Sequence, residues 1–243
     1  MLVLKKTLIG LFFGTFGTTI GGIIGVVFKK NSNKFLSVIL SFAAGLMMSV
    51  ISFELIPESL KIGNIYIVIL GILLGLFSLL FCENLVKKIF SYKIKKNNDM
   101  LKIGIIVAIG LAIHNLPEGL AIGSGFEASM KLGLGVGLAI CLHDIPEGIS
   151  MAIPMKNGGM SPLKVVLYVF LSGITTGVGA FLGVLIGDIS INIISICLSF
   201  AAGAMLYIVS GELVPEANKL FSGKMSILGN ICGFLVGFFV SQI

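Results

Sequence analysis

The runs His114-Asn115-Leu116-Pro117-Glu118-Gly119 and His143-Asp144-Ile145-Pro146-Glu147-Gly148 each lie in the middle of a long apolar stretch and hold the only two histidines of the chain. At 3.6 residues per turn, positions i and i+4 share a helix face, so His114 sits above Glu118 and His143 above Glu147. Two imidazoles and two carboxylates can then face one another, which is a ligand set for a divalent metal. Ionisable groups at membrane depth are costly and mark functional pathways, so their duplication here points to a site.

The rest of the chain is built for lipid. Hydrophobic residues make up 56% and charged residues 12%, with a mean hydropathy of +1.10, which is the composition of a polytopic membrane protein. The basic side chains are all lysine; without an arginine fork the positive balance argues against nucleic acid as a partner. Cys82, Cys141, Cys197 and Cys232 stand singly in apolar runs, as small core residues do. Lys5 and Lys6 precede the first apolar run, but no small-residue cleavage pattern follows, so that run reads as a mature helix.

Apolar runs of about 20 residues, enough to cross a roughly 30 Å hydrocarbon core, fall near 7–28, 35–56, 64–82, 102–126, 132–155, 163–187, 191–213 and 225–243. The expectation is an all-α polytopic membrane protein of eight transmembrane helices forming a single domain over 1–243. The main loop is expected over 84–100. Thirteen of the seventeen lysines follow odd-numbered spans, so the positive-inside rule puts those loops in the cytoplasm and both termini outside.

Internal repeats are visible. Ser41-Phe42-Ala43-Ala44-Gly45, leading to Glu54-Leu55-Ile56-Pro57-Glu58, recurs as Ser199-Phe200-Ala201-Ala202-Gly203, leading to Glu212-Leu213-Val214-Pro215-Glu216. Gly17, Gly21 and Gly25 match Gly179, Gly183 and Gly187, and Gly71 and Gly75 match Gly233 and Gly237. The plan is 3+2+3, an inverted-repeat bundle with the duplicated motif between the halves, as in many secondary transporters. Most of the glycines serve only close helix packing.

Both histidines fall near the midplane of antiparallel helices, which sets His114 level with Glu147 and Glu118 with His143. Imidazole and carboxylate suit Zn²⁺, Fe²⁺, Mn²⁺ or Co²⁺. Pro117 and Pro146 free the carbonyls of Ile113 and Leu142. Asn115 and Asp144 point about 100° from the histidines, as outer partners or as ligands of an adjacent second metal. Glu54, Glu58, Glu212 and Glu216 are expected near the ends of spans two and seven, where they either reach interfacial water or collect cations at two mouths. The same cluster also suits a proton or other cation pathway, and a bare His–Glu network locking two helices is the plainest alternative. A hydrolytic zincin would need His-Glu-x-x-His, which is absent, so no enzyme and no resident cofactor are expected.

With these residues in view, the chain resembles the ZIP (Zrt/Irt-like protein) metal-ion transporters of compact bacterial type over essentially its whole length. The resemblance implies movement of zinc, with iron, manganese or cadmium as further cargo, into the cytoplasm across the cell membrane. It implies His114, Glu118, His143 and Glu147 as the primary site, with Asn115 and Asp144 contributing to a second. Bacterial members often carry Ser-Gly-x-x-Glu-Pro-x-Gly in span six, whereas this chain reads Ser172-Gly173-Ile174-Thr175-Thr176-Gly177-Val178-Gly179. Thr176 replaces the carboxylate, which implies a weak or absent second site. The loop near 84–100 lacks the histidines of many relatives. A homodimer is expected by analogy alone, and the glycine faces permit it.

Overall fold

The computed structural model describes residues 2–27, 32–94 and 100–242. Among the described residues there are eight helical rods and no strand: α1 Leu2–Val27, α2 Asn33–Ile62, α3 Ile65–Ile94, α4 Met100–Ala128, α5 Met130–Asn157, α6 Pro162–Gly187, α7 Ile191–Leu220 and α8 Lys224–Ser241. Seven of them are long and apolar enough to cross a membrane. The remaining one, α4, has 29 residues, about 43 Å of helix. Leu, Ile and Phe stand exposed along the outer faces, for example Phe12, Phe77, Leu167 and Phe239, a surface suited to hydrocarbon rather than water. The chain is an all-α polytopic membrane protein.

Two features depart from the sequence expectation. α2 and α7 do not end at their prolines but run on to Ile62 and Leu220 through one π turn each, Ile51–Leu55 and Val209–Leu213. Pro57 and Pro215 lack an amide hydrogen, and their rings crowd the carbonyls of Phe53 and Gly211 four residues back. A π turn opens the spiral there: the Ile56 amide donates to the Ile51 carbonyl, and the Val214 amide to the Val209 carbonyl, both i to i−5. The second departure is the expected loop over 84–100, which is helical through Ile94 and again from Met100; positions 95–99 lie outside the described residues.

In lipid, apolar burial alone does not favour helix contact over contact with acyl chains, so close backbone approach has to hold the bundle. Glycine rows supply it. Gly21 and Gly25 of α1 lie against the Ile145 and Ile149 carbonyls of α5, while Gly179 and Gly183 of α6 lie against the Leu116 and Leu120 carbonyls of α4. Gly75 of α3 meets the Phe200 carbonyl, and Gly233 of α8 meets the Phe42 carbonyl. The displacement that carries Glu54 to Glu212 also carries Gly21 to Gly179, Gly25 to Gly183 and Gly75 to Gly233. The sequence match of Gly17 with Gly179 and of Gly71 with Gly233 is therefore one helical turn out of register, since the same displacement carries Gly71 to Gly229.

The same displacement relates two buried hydrogen bonds. Ser37 Oγ of α2 donates to the Ala217 carbonyl of α7 at 2.7 Å, and Ser195 Oγ of α7 donates to the Ser59 carbonyl of α2 at 2.8 Å. Each ties the start of one repeat helix to the stretch beyond the π turn of the other. α4 and α5 pack against each other and against α7 and α2 respectively; the π turn of α7 sets Glu212 beside His114, and that of α2 sets Glu54 against Gly135 of α5.

Candidate metal centre

α4 and α5 run unbroken through Pro117 and Pro146, and each histidine falls at the middle of its helix. His143 Nε2 lies 3.0 Å from Glu118 Oε1, and His114 Nε2 lies 3.5 Å from Glu147 Oε2. Asp144 Oδ1 is 3.5 Å from His143 Nε2. Asp144 therefore joins Glu118 and His143 in one group whose donor atoms all lie within 4.8 Å of one another. Two donors about 2.1 Å from a tetrahedral zinc are separated by roughly 3.4 Å, so these spacings fit ligands of a common ion.

All of these side chains are buried, yet their hydrogen bonding is incomplete. His114 Nε2, Glu118 Oε2, His143 Nδ1, both Asp144 oxygens and both Glu147 oxygens are buried without a hydrogen-bond partner. Native interiors rarely leave so many buried polar atoms unpaired. Three carboxyl groups against two imidazoles also leave net negative charge when ionised, which a divalent cation would neutralise.

Asn115 Nδ2 donates to the Ser172 carbonyl of α6 at 3.1 Å, while its Oδ1 is buried without a hydrogen-bond partner. Thr176, one turn further along α6, is fully buried and its Oγ1 has no partner. The last residue of each motif matters for packing, since a Cβ on Gly119 would collide with the Thr176 carbonyl and one on Gly148 with the Thr18 carbonyl.

The four repeat glutamates separate into two kinds. Glu54 is buried in the π turn of α2, faces Gly135 of α5, and has no partner for either oxygen. Glu212, in the π turn of α7, has a side chain 39% exposed and places Oε2 4.0 Å from His114 Nδ1. Glu58 and Glu216 lie away from the cluster, paired with Lys61 at 2.9 Å and Lys219 at 3.4 Å. The sequence reading passed over a further pair: the Tyr207 hydroxyl of α7 donates to Glu83 Oε2 of α3. Neither belongs to a repeated motif, so only the three-dimensional contact reveals them.

Fold and cluster together define a polytopic membrane protein with an ionisable, metal-competent centre buried between two central helices. Residues 96–241 match the family model described as ZIP zinc transporter. The chain is 32% identical over 237 residues to the zinc transporter ZupT of Streptococcus mutans, covering 90% of each. It is 33% identical over 272 residues to ZupT of Clostridium perfringens, covering 96% of this chain and 94% of that one. A shorter match, 39% over 139 residues, is to the zinc transporter ZIP11 of Xenopus tropicalis, with 54% of this chain and 41% of the relative covered. The chain belongs to the ZIP zinc transporter family, whose members are transporters and not enzymes.

Proposed function

We propose that this protein carries Zn²⁺ across the cell membrane into the cytoplasm, with Fe²⁺, Mn²⁺ and Cd²⁺ as competing cargo. The observation that carries this reading is the set of buried, unpartnered imidazole and carboxylate atoms at the middle of α4 and α5. A cation supplies the contacts those atoms lack, and donor chemistry of this kind accepts any of the four metals. Zinc is put first because the relatives are named zinc transporters.

In this reading His114, Glu118, His143 and Glu147 bind the ion in place of its hydration water. Asp144 adds charge on the His143 side, and Asn115 holds α4 to α6 through Ser172. Glu212 and Glu54 serve the two approaches to the site. The lysine distribution assigns the Glu212 side to the cytoplasm and both termini to the outside. Thr176, uncharged, gives an adjacent second ion little compensation, so one metal binds tightly.

Equilibrium Zn²⁺ binding to purified protein tests the site. His143→Ala is expected to weaken affinity by roughly 100-fold or more, since a lost ligand costs more than an outer-shell change of 10- to 100-fold. Unchanged affinity in both His114→Ala and His143→Ala would remove the assignment. Thr176→Glu is expected to raise the stoichiometry toward two metals; a stoichiometry still at one would reject the role given to Thr176.

A further inference from the structure

One contact at the centre is made on one side only. Glu212, in the π turn of α7, sets Oε2 4.0 Å from Nδ1 of His114 on α4. Its counterpart in the repeated sequence is Glu54, in the π turn of α2, and the counterpart of His114 in the duplicated motif is His143 on α5. α2 packs on α5 as α7 packs on α4. The matching contact would therefore join Glu54 to His143 Nδ1, and that contact is missing: both Glu54 oxygens and His143 Nδ1 are buried without a hydrogen-bond partner. Glu54 lies instead against Gly135, about two helical turns before His143 on α5.

We propose that Glu54 is a positioning residue for His143: in the state open on the Glu54 side, its carboxylate accepts the Nδ1–H of His143 and holds Nε2 on the metal. The inference rests on the transport reading above and gives Glu54 a partner within it. A histidine that binds metal through one ring nitrogen usually donates the other N–H to a carboxylate or carbonyl, which fixes the tautomer and the ring plane. His143 Nε2 faces Glu118 and Asp144, at 3.0 and 3.5 Å, so Nδ1 is the nitrogen left for that role. Leaving three such buried atoms unpaired in every state is unfavourable. A transporter with matching halves resolves this by making the contact in turn, Glu212 beside His114 in one state and Glu54 beside His143 in the other.

The test is equilibrium Zn²⁺ binding to the purified full chain, with Glu54→Leu and Glu54→Gln each measured alone and in His143→Ala and His114→Ala backgrounds. Glu54→Leu is expected to weaken affinity by roughly tenfold, the lower end for loss of an outer carboxylate partner. Glu54→Gln is expected to recover part of that loss, since its amide oxygen still accepts from Nδ1–H; a carboxylate acting by charge alone would lose as much in either variant. In the His143→Ala background Glu54→Leu is expected to have no further effect, and in the His114→Ala background its full effect. No loss in Glu54→Leu alone, equal losses in the Leu and Gln variants, or equal losses in both backgrounds overturns the proposal. Wild type without Zn²⁺ uptake in proteoliposomes overturns the transport reading itself, and this inference with it; wild-type uptake together with any of those three results overturns only the pairing of Glu54 with His143.

Discussion

At the scale of single residues, the centre depends on side chains that meet and on side chains that are missing. Gly148 has no Cβ because the Thr18 carbonyl of α1 occupies that space. Gly148→Val should therefore force α1 and α5 apart at a cost of about 1–3 kcal/mol, the usual penalty for overpacking, and lower the melting temperature in detergent. Gly110→Val is the control, since a Cβ there meets nothing within 4 Å; equal melting temperatures for the two would contradict this account of the motif glycine. The meeting of His143 with Glu118 was legible in the sequence, because i and i+4 spacing on two antiparallel helices leaves little freedom. The placement of Asp144 was not: a side chain 100° from its neighbour can turn either way, and only the backbone of α1 at Gly17, close against the Asp144 Cβ, shows which side is closed.

At the scale of helices, the π turns are the elements that hold Glu54 against Gly135 of α5 and Glu212 beside His114. Each depends on a proline that cannot complete an α-helical hydrogen bond. Pro57→Ala restores that donor and allows the turn to relax to α-helix, which rotates Glu54 relative to one flank by about 100°. The variant should melt at the same temperature or higher while transport falls by roughly tenfold; full transport with the proline gone would show that the π turn is dispensable. In the sequence, Pro57 and Pro215 read as helix ends, since proline breaks helices far more often than it opens a π turn within one. The repeat itself was visible, but its glycine register was not, because rows spaced every fourth residue match themselves equally well after a one-turn slip. Long anchors such as Ser41 to Glu54 lack that periodicity, and the carbonyls facing Gly21 and Gly179 agree with them.

At the scale of the whole molecule, two halves related in sequence present unlike surroundings at equivalent positions: Glu54 is buried without a partner, and Glu212 is partly exposed beside His114. A path open on one side and shut on the other has this asymmetry. In a background with the four native cysteines replaced, Glu212→Cys should react with a water-soluble thiol reagent and Glu54→Cys should be protected in this state; the reverse pattern would reject the assignment of the open side. Composition made the membrane bundle legible at once, whereas the difference between the two glutamates is invisible in sequence, where Glu54 and Glu212 sit in matching motifs. The central claim is that metal crosses the membrane through the buried His/Glu cluster. Its most direct test is uptake of radiolabelled Zn²⁺ into proteoliposomes, wild type beside His143→Ala and Glu147→Ala. Saturable uptake by wild type that is lost in both variants is the predicted result. Uptake that persists in both, or no uptake of Zn²⁺, Fe²⁺, Mn²⁺ or Cd²⁺ by wild type, would contradict it.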